Sequence, residues 1–155
     1  PPLTEFIRQV LNVEQLFLSQ CPHLALTIKV AYEGDTDGWH YDPNDGVVTL
    51  VLQAADNGGE FEYAPNIRNK INQNYAGVDR LFKSPGVEAT RPILEPGTFT
   101  FFNGRHSMHR VRQVGSTRQP RIVSIFSFDQ RPDHFFAQSY IDKLRRFPQG
   151  PPKVD

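Results

Sequence analysis

The segment Trp39-His40-Tyr41-Asp42 places a histidine and an aspartate two residues apart. In an extended strand, residues i and i+2 point to the same side, so an imidazole nitrogen and a carboxylate oxygen can converge on one point. Two histidines and one carboxylate on one face of an octahedron form a triad that binds Fe(II) and leaves the opposite face open. His40 and Asp42 would supply two of these ligands, and the third must come from another strand.

Two histidines later in the chain, His106 and His109, are candidates for the third ligand. If a strand begins near His106, that residue shares a face with Arg110 and Arg112, and His109 points to the opposite side. The face with the arginines should be in contact with solvent, so His109 should point inward. We therefore predict His109 as the third ligand, with His106 as the alternative.

Iron in such a site needs two electrons, which a 2-oxo acid chelated on the open face would supply. The far carboxylate of that co-substrate needs a cation. Arg121 begins the last predicted strand, just after Pro120, and a guanidinium can bind a carboxylate through two parallel hydrogen bonds. Arg118 lies within one short turn and is the alternative.

The elements that position these residues are predicted from hydrophobic periodicity and turn residues. Apolar residues at three-and-four spacing predict a helix over residues 3–18 and a second one over 66–82, capped by Asn66. A short helix over 139–146 is expected before a disordered tail. β-Branched and aromatic runs predict strands over residues 24–32, 39–42, 47–53, 60–64, 97–102, 109–114 and 121–128. The turn residues 56–59 are expected to join two of these strands in a hairpin.

Length, charge and cysteine content restrict the class of protein. A chain of 155 residues is the usual size of one domain, and we expect a single domain over residues 1–155. The 17 basic and 17 acidic residues cancel without forming long blocks, which argues against nucleic-acid and membrane partners. The single cysteine, Cys21, allows no internal disulfide and favours the cytoplasm. Short strands with helices outside them predict a mainly β sandwich or small barrel.

With these residues in place, the sequence resembles the Fe(II)/2-oxoglutarate-dependent oxygenase superfamily. The signature of that superfamily is His-x-Asp, a distal histidine and a basic residue beyond it, matched here by His40-Tyr41-Asp42, His109 and Arg121. One subgroup, which includes free-amino-acid hydroxylases and halogenases, is resembled in the segments GWHYD, VTLVLQ, GGEFEYAPNIR, PGTFTFFNGRHSMHRV and PRIVSIFSFDQRP. The likeness is collinear over residues 24–140.

The resemblance implies a double-stranded β-helix, the jelly-roll fold of cupins, that holds Fe(II) and uses 2-oxoglutarate and O2. It implies oxidation of a small molecule, such as a free amino acid, with release of succinate and CO2. The subgroup's halogenases have a small residue in place of the aspartate, which frees a position for chloride, so Asp42 favours hydroxylation here. The alternatives are a prolyl-type protein hydroxylase and a cupin-like metal-binding protein without 2-oxoglutarate turnover. Members also tend to have a longer N-terminal helical region, part of which we expect this chain to lack.

Four further side chains are candidates for contact with the substrate. Trp39, beside the first ligand, could form a wall of the pocket or belong to the core. Glu60 and Glu62 share a strand face and could meet a substrate ammonium, while Arg105 could meet its carboxylate. For each of these charges, a solvated surface position is the alternative.

Overall fold

The computed structural model describes residues 2–21, 23–44 and 46–145, in which antiparallel strands form two sheets with helices outside them. The helices are α1 Pro2–Val10, α2 Tyr75–Lys83, α3 Pro85–Glu88 and α4 Gln138–Arg145. The strands are β1 Phe17–Leu18, β2 Leu26–Ala31, β3 Asp37–His40, β4 Gly46–Gln53, β5 Phe61–Ala64, β6 Phe99–Phe102, β7 Met108–Val111 and β8 Arg121–Asp129. In this part of the chain, no helix is long and apolar enough to cross a membrane. The tail predicted to be disordered lies outside the described residues.

Two sheets make up the fold. The larger sheet has the strand order β1-β8-β4-β6, with β2 also paired to β8, and the smaller has the order β3-β7-β5. All of these pairings are antiparallel. Their facing arrangement confirms the predicted mainly β fold, a double-stranded β-helix with flanking helices.

Strand register identifies the inner faces of the two sheets. In the larger sheet Val47 pairs with Phe102, and their face continues across β8 to Arg121. The ring of Phe102 lies 4.8 Å from that of His109 and 5.2 Å from that of Phe61, both in the smaller sheet. Arg121 and His109 therefore point into the space between the sheets.

The outer face of the larger sheet packs against α1. Ile7 of α1 is fully buried in a cluster with Leu16, Val48 and Phe128. The predicted helix over residues 3–18 is shorter than expected, because the chain leaves the helix after Val10 and continues into β1. The left-handed backbone of Asn12, with φ 50°, is not compatible with a continuing helix.

The predicted hairpin between β4 and β5 is wrong. β4 pairs with β6 and β8, whereas β5 pairs with β7 in the other sheet. Gly58 and Gly59 both have φ near +70°, and a Cβ on Gly58 would lie 2.3 Å from the carbonyl oxygen of Gln113. The glycines thus let the chain cross between sheets, and turn residues alone do not specify which sheet receives the next strand.

The second predicted helix begins much later than expected, at α2. The side-chain oxygen of Asn74 accepts a hydrogen bond from the Gly77 backbone N–H, so Asn74 and not Asn66 is the cap. Further upstream, the side chain of Asn69 accepts hydrogen bonds from the backbone N–H groups two and three residues on. Such bonds compete with helix formation, which explains why the apolar spacing there did not produce a helix.

Candidate metal centre

His40, Asp42 and His109 come together at one end of the smaller sheet. One potential ligand atom from each lies within 4.8 Å of the others. The Oδ1 atom of Asp42 is 3.5 Å from Nε2 of His109 and 3.9 Å from Nε2 of His40. His40 and His109 are direct partners in the β3 to β7 ladder, and their ring centroids are 4.2 Å apart. The strand pairing therefore joins the local His-x-Asp pair to the distal histidine.

Backbone carbonyls orient both imidazoles. Nδ1 of His40 lies 2.7 Å from the oxygen of Gly38, and Nδ1 of His109 lies 2.9 Å from the oxygen of Ser107. A carbonyl oxygen can only accept, so each Nδ1 is the donor and each Nε2 keeps its lone pair for a metal. Oδ2 of Asp42 is buried with no hydrogen-bond partner among the described residues. This donor set fits a divalent iron ion.

The three ligands differ in exposure. The side chain of His109 is 6% exposed and that of Asp42 16%, whereas that of His40 is 38% exposed. Burial lowers the pKa of His109, but the hydrogen bond and charge of Asp42 outweigh it, so the pKa is raised above its ordinary value. The rings of Phe61 and Phe102 flank His109 at 5.7 and 4.8 Å, which excludes water from that side. The open side of the centre is therefore beside His40.

A cavity of about 290 Å³ is lined in part by Arg121 and by Phe61, and the ring of Phe61 also contacts that of His109. Burial lowers the pKa of the Arg121 guanidinium, and the nearby charge of Asp37 acts in the opposite direction. Among the described residues, none forms a hydrogen bond or ion pair with this guanidinium. A partly buried cation of this kind is suited to binding an anion.

Arg118, the alternative to Arg121, lies on the surface with its side chain 91% exposed. Its Nε lies 3.0 Å from Oδ2 of Asp56, and its Nη2 lies 3.1 Å from Oδ1 of the same carboxylate. These hydrogen bonds hold the pKa of Asp56 at about 2. Arg118 is thus already paired and does not line the cavity that Arg121 and Phe61 share.

Residues 1–140 match the family model of halogenase D. The chain belongs to this family. The matched range includes all three residues of the triad and Arg121, so the candidate metal centre lies within it.

Three solved structures have a fold similar to that of this chain. A 2OG-Fe(II) oxygenase family oxidoreductase from Burkholderia pseudomallei has a TM-score of 0.59 and 18% identity, covering 83% of this chain and 51% of that one. The non-heme monooxygenase ThoJ, in a nickel complex, has a TM-score of 0.54 and 15% identity, covering 94% and 67%. A prolyl 4-hydroxylase from Phytophthora capsici has a TM-score of 0.51 and 16% identity, covering 94% and 47%.

These likenesses establish the fold, and together with the family match they confirm the predicted relation to the Fe(II)/2-oxoglutarate oxygenase superfamily. This chain spans about half the length of the first of these structures. No curated protein matches this chain.

Trp39 and Glu62 are not brought to the metal ligands. They lie on the face of the smaller sheet opposite His109. Each is one residue away, in its own strand, from the residue that pairs with His109, and successive residues of a strand point to opposite faces. The Arg110 guanidinium lies over the Trp39 ring, 4.7 Å from its centroid. Glu62, with only 3% of its side chain exposed, forms ion pairs with Arg91 and Arg110. Both side chains therefore lie on the sheet face away from His109, and Glu62 is a buried ion-pair partner and not a solvated charge.

The remaining candidates lie in three different places. Glu60 lines the same cavity as Arg121 and Phe61. Arg105 donates a hydrogen bond to the carbonyl oxygen of Pro43, in the loop after the His-x-Asp segment. His106 is outside the triad, with its Nδ1 at 3.1 Å from the side-chain amide nitrogen of Asn103.

β7 directs His109 inward, as strand parity predicts, but the opposite face is largely covered and not in open contact with solvent. Met108 on that face is 7% exposed and packs with Ala64 and Leu81 under α2. Arg110 follows with 28% of its side chain exposed. In the sequence, the apolar residue Met108 indicates that this face of β7 is covered, and the parity argument did not take it into account.

Replacing Glu62 by glutamine is expected to lower the free energy of unfolding by about 2 kcal/mol at neutral pH, because Arg110 and Arg91 lose their buried counter-charge. Burial raises the pKa of Glu62, but the hydrogen bonds from Arg110 and Arg91 outweigh it and the net pKa is lowered. A lowered pKa in the folded state means that the carboxylate stabilises the protein above about pH 4.5, the unfolded value, and less as the pH falls.

The measurement is denaturant unfolding of both proteins from pH 7 down to about pH 3, a range that extends below the unfolded pKa of 4.5. The stability difference should shrink as the pH falls. Glu95→Gln is the matched control at an exposed position and should change stability by less than about 0.5 kcal/mol. An equal effect of the two substitutions at pH 7 would contradict the prediction.

Proposed function

We propose that this chain is an Fe(II)- and 2-oxoglutarate-dependent hydroxylase of a small molecule, such as a free amino acid. The observation that supports it is the Asp42 carboxylate, 3.5 Å from His109 Nε2 and 3.9 Å from His40 Nε2. In this proposal the protein itself fills all three positions on one face of the metal. The other face is left to the co-substrate and O2.

His40, Asp42 and His109 would hold the iron through Nε2, Oδ1 and Nε2. Iron in this environment supplies the O2 activation that no side chain can perform. The carbonyls of Gly38 and Ser107 fix the two imidazoles in the tautomer that presents Nε2. Asp42 contributes a negative charge to a site that is otherwise neutral, and its proton must be absent for it to act as a ligand.

Arg121 would bind the far carboxylate of 2-oxoglutarate. The proposal is supported by its position on the inner face, by its place in the cavity wall beside Phe61, and by the lack of a partner for its guanidinium among the described residues. A bidentate pair with a carboxylate would compensate the cost of its partial burial. The substrate would approach from the side of His40, the most exposed of the three ligands.

Chlorination is the second candidate, and it is supported by the family match to halogenase D. The argument against it is steric and electronic. A carboxylate at Asp42 occupies the position that a chloride ligand would need, and its charge repels an anion. We therefore favour hydroxylation, in which one atom of O2 enters succinate and the other enters the product as a hydroxyl group.

The test is incubation with Fe(II), 2-oxoglutarate, O2 and chloride in the presence of a library of free amino acids. Succinate formation and a product that has gained one oxygen atom are expected, with no chlorine incorporated. Asp42→Gly is the matched variant and should lose hydroxylation. A chlorinated product from the unmutated chain would contradict hydroxylation, and no succinate under any condition would favour a metal-binding protein without 2-oxoglutarate turnover.

A further inference from the structure

Gly104, in the turn that follows β6, packs directly against the carboxylate of Asp42. A Cβ atom added at Gly104 would lie 1.8 Å from Oδ2, 2.6 Å from Cγ and 3.0 Å from Cβ of Asp42. These are the three nearest heavy atoms, and all of them belong to one side chain. Contacts this short are far inside van der Waals distance, so the carboxylate could not keep its place beside any larger residue.

The two segments cannot separate freely to relieve such a contact. The backbone N–H of Asp42 donates a hydrogen bond to the carbonyl oxygen of Gly104, with an N to O distance of 3.1 Å. The turn itself is held by the Asn103 carbonyl oxygen, which accepts hydrogen bonds from the N–H groups of His106 and Ser107 at 3.1 and 2.9 Å. A side chain at position 104 would therefore act mainly on the Asp42 carboxylate, which is joined to its backbone by rotatable bonds.

Space, and not backbone conformation, is what requires glycine at this position. Gly104 is absent from the glycines with positive φ, which are Gly34, Gly58, Gly59 and Gly97. Alanine would thus adopt the same backbone without strain. Oδ2 of Asp42, the atom that a new methyl group would push, has no hydrogen-bond partner among the described residues, and the polar contacts of this carboxylate are made by Oδ1 with the two histidines.

We propose that Gly104 is a positioning residue whose missing side chain keeps the Asp42 carboxylate beside His40 and His109. The consequence for metal binding rests on the proposed function, whereas the steric coupling between positions 104 and 42 does not. On this view the carboxylate ligand of the triad depends on two residues. Asp42 provides the carboxylate, and Gly104 leaves the space that it occupies.

The test begins with Gly104→Ala and metal titration under anaerobic conditions, with Fe(II) or with Co(II) as a coloured probe. The affinity is expected to fall about 10- to 100-fold, the range seen when a ligand loses its orientation. The visible spectrum of the Co(II) complex should resemble that of Asp42→Gly and not that of the unmutated chain. Gly86→Ala is the matched control, because a Cβ there meets no atom within 4 Å, and it should bind metal as the unmutated chain does.

A double-mutant cycle on the metal-free protein separates positioning from a general structural effect. Gly104→Ala should lower the unfolding midpoint when Asp42 is present and should have little effect in the Asp42→Gly background, where all three close contacts are gone. If Gly104→Ala fails to fold, the double variant should fold. Equal destabilisation in both backgrounds, or a double variant that also fails to fold, would overturn the proposal.

The metal titration also distinguishes the two proposals. Unmutated affinity and an unmutated Co(II) spectrum in Gly104→Ala would overturn the positioning role while leaving the metal centre intact. If the unmutated chain binds neither metal, the proposed function fails, and the cycle on the metal-free protein still decides whether Gly104 positions the carboxylate.

Discussion

Replacing His109 by alanine should lower the affinity for Fe(II) by more than about 100-fold and abolish turnover. Loss of an orienting partner alone typically costs 10- to 100-fold in metal affinity, and loss of a ligand should cost more. His109 is the most buried of the three ligands, and its Nε2 faces Asp42 at 3.5 Å. The described cluster of candidate ligands contains only His40 and Asp42 besides His109, and the rings of Phe61 and Phe102 give His109 an apolar surrounding.

The measurement is the absorption band that forms when Fe(II) and 2-oxoglutarate bind together without O2. It should be absent in His109→Ala and present in His106→Ala, which is the matched control three residues away in the same segment. His106 is engaged with Asn103 and is not part of the triad. If His106→Ala removed the band and His109→Ala kept it, the assignment of the third ligand would be reversed.

The convergence of His40, Asp42 and His109 could be predicted because it depends on rules that act at short range. His40 and Asp42 need only the two-residue period of an extended chain. His109 needs one further step, the parity of a single strand, and the observed β3 to β7 ladder places it directly opposite His40. Arg121 was predicted from its position at the start of the last strand, and the register of β8 does turn it to the inner face.

The parts that could not be predicted depend on which strands become neighbours. The turn at Gly58 and Gly59 is evident in the sequence, but only the three-dimensional structure shows that β5 pairs with β7 and not with β4. The same pairing turns Glu62 to Arg110, on the face opposite His109. The shared strand face of Glu60 and Glu62 is evident in the sequence, but which residues face Glu62 depends on this strand pairing.

Gly104 illustrates a different limit. Asn103-Gly104 reads as an ordinary turn, and the backbone of Gly104 needs no special conformation. What singles out this glycine is its contact with a residue far away in the sequence, Asp42. No local sequence pattern indicates such a contact, because it depends on which residue faces Asp42 in three dimensions.

Replacing Arg121 by glutamine should weaken 2-oxoglutarate binding by about 100-fold, with little change in the affinity for Fe(II) alone. A charge-assisted hydrogen bond contributes roughly 1.5–3 kcal/mol, and a bidentate arginine pair makes two of them. Every 1.4 kcal/mol is a factor of ten in affinity, so a loss near 3 kcal/mol gives the expected change. Glutamine keeps a hydrogen-bond donor and much of the length of the side chain, so the effect reports on charge and on the second donor.

Arg118→Gln is the matched control, since Arg118 is exposed and paired with Asp56, and it should leave 2-oxoglutarate binding unchanged. Titration of 2-oxoglutarate into each Fe(II)-loaded variant without O2 measures the difference. A longer 2-oxo diacid and a 2-oxo monoacid sharpen the test, because the monoacid lacks the far carboxylate and should bind the unmutated chain and Arg121→Gln equally weakly. A larger effect of Arg118→Gln than of Arg121→Gln would move the carboxylate site from the inner cavity to the surface, where Asp56 already neutralises the cation.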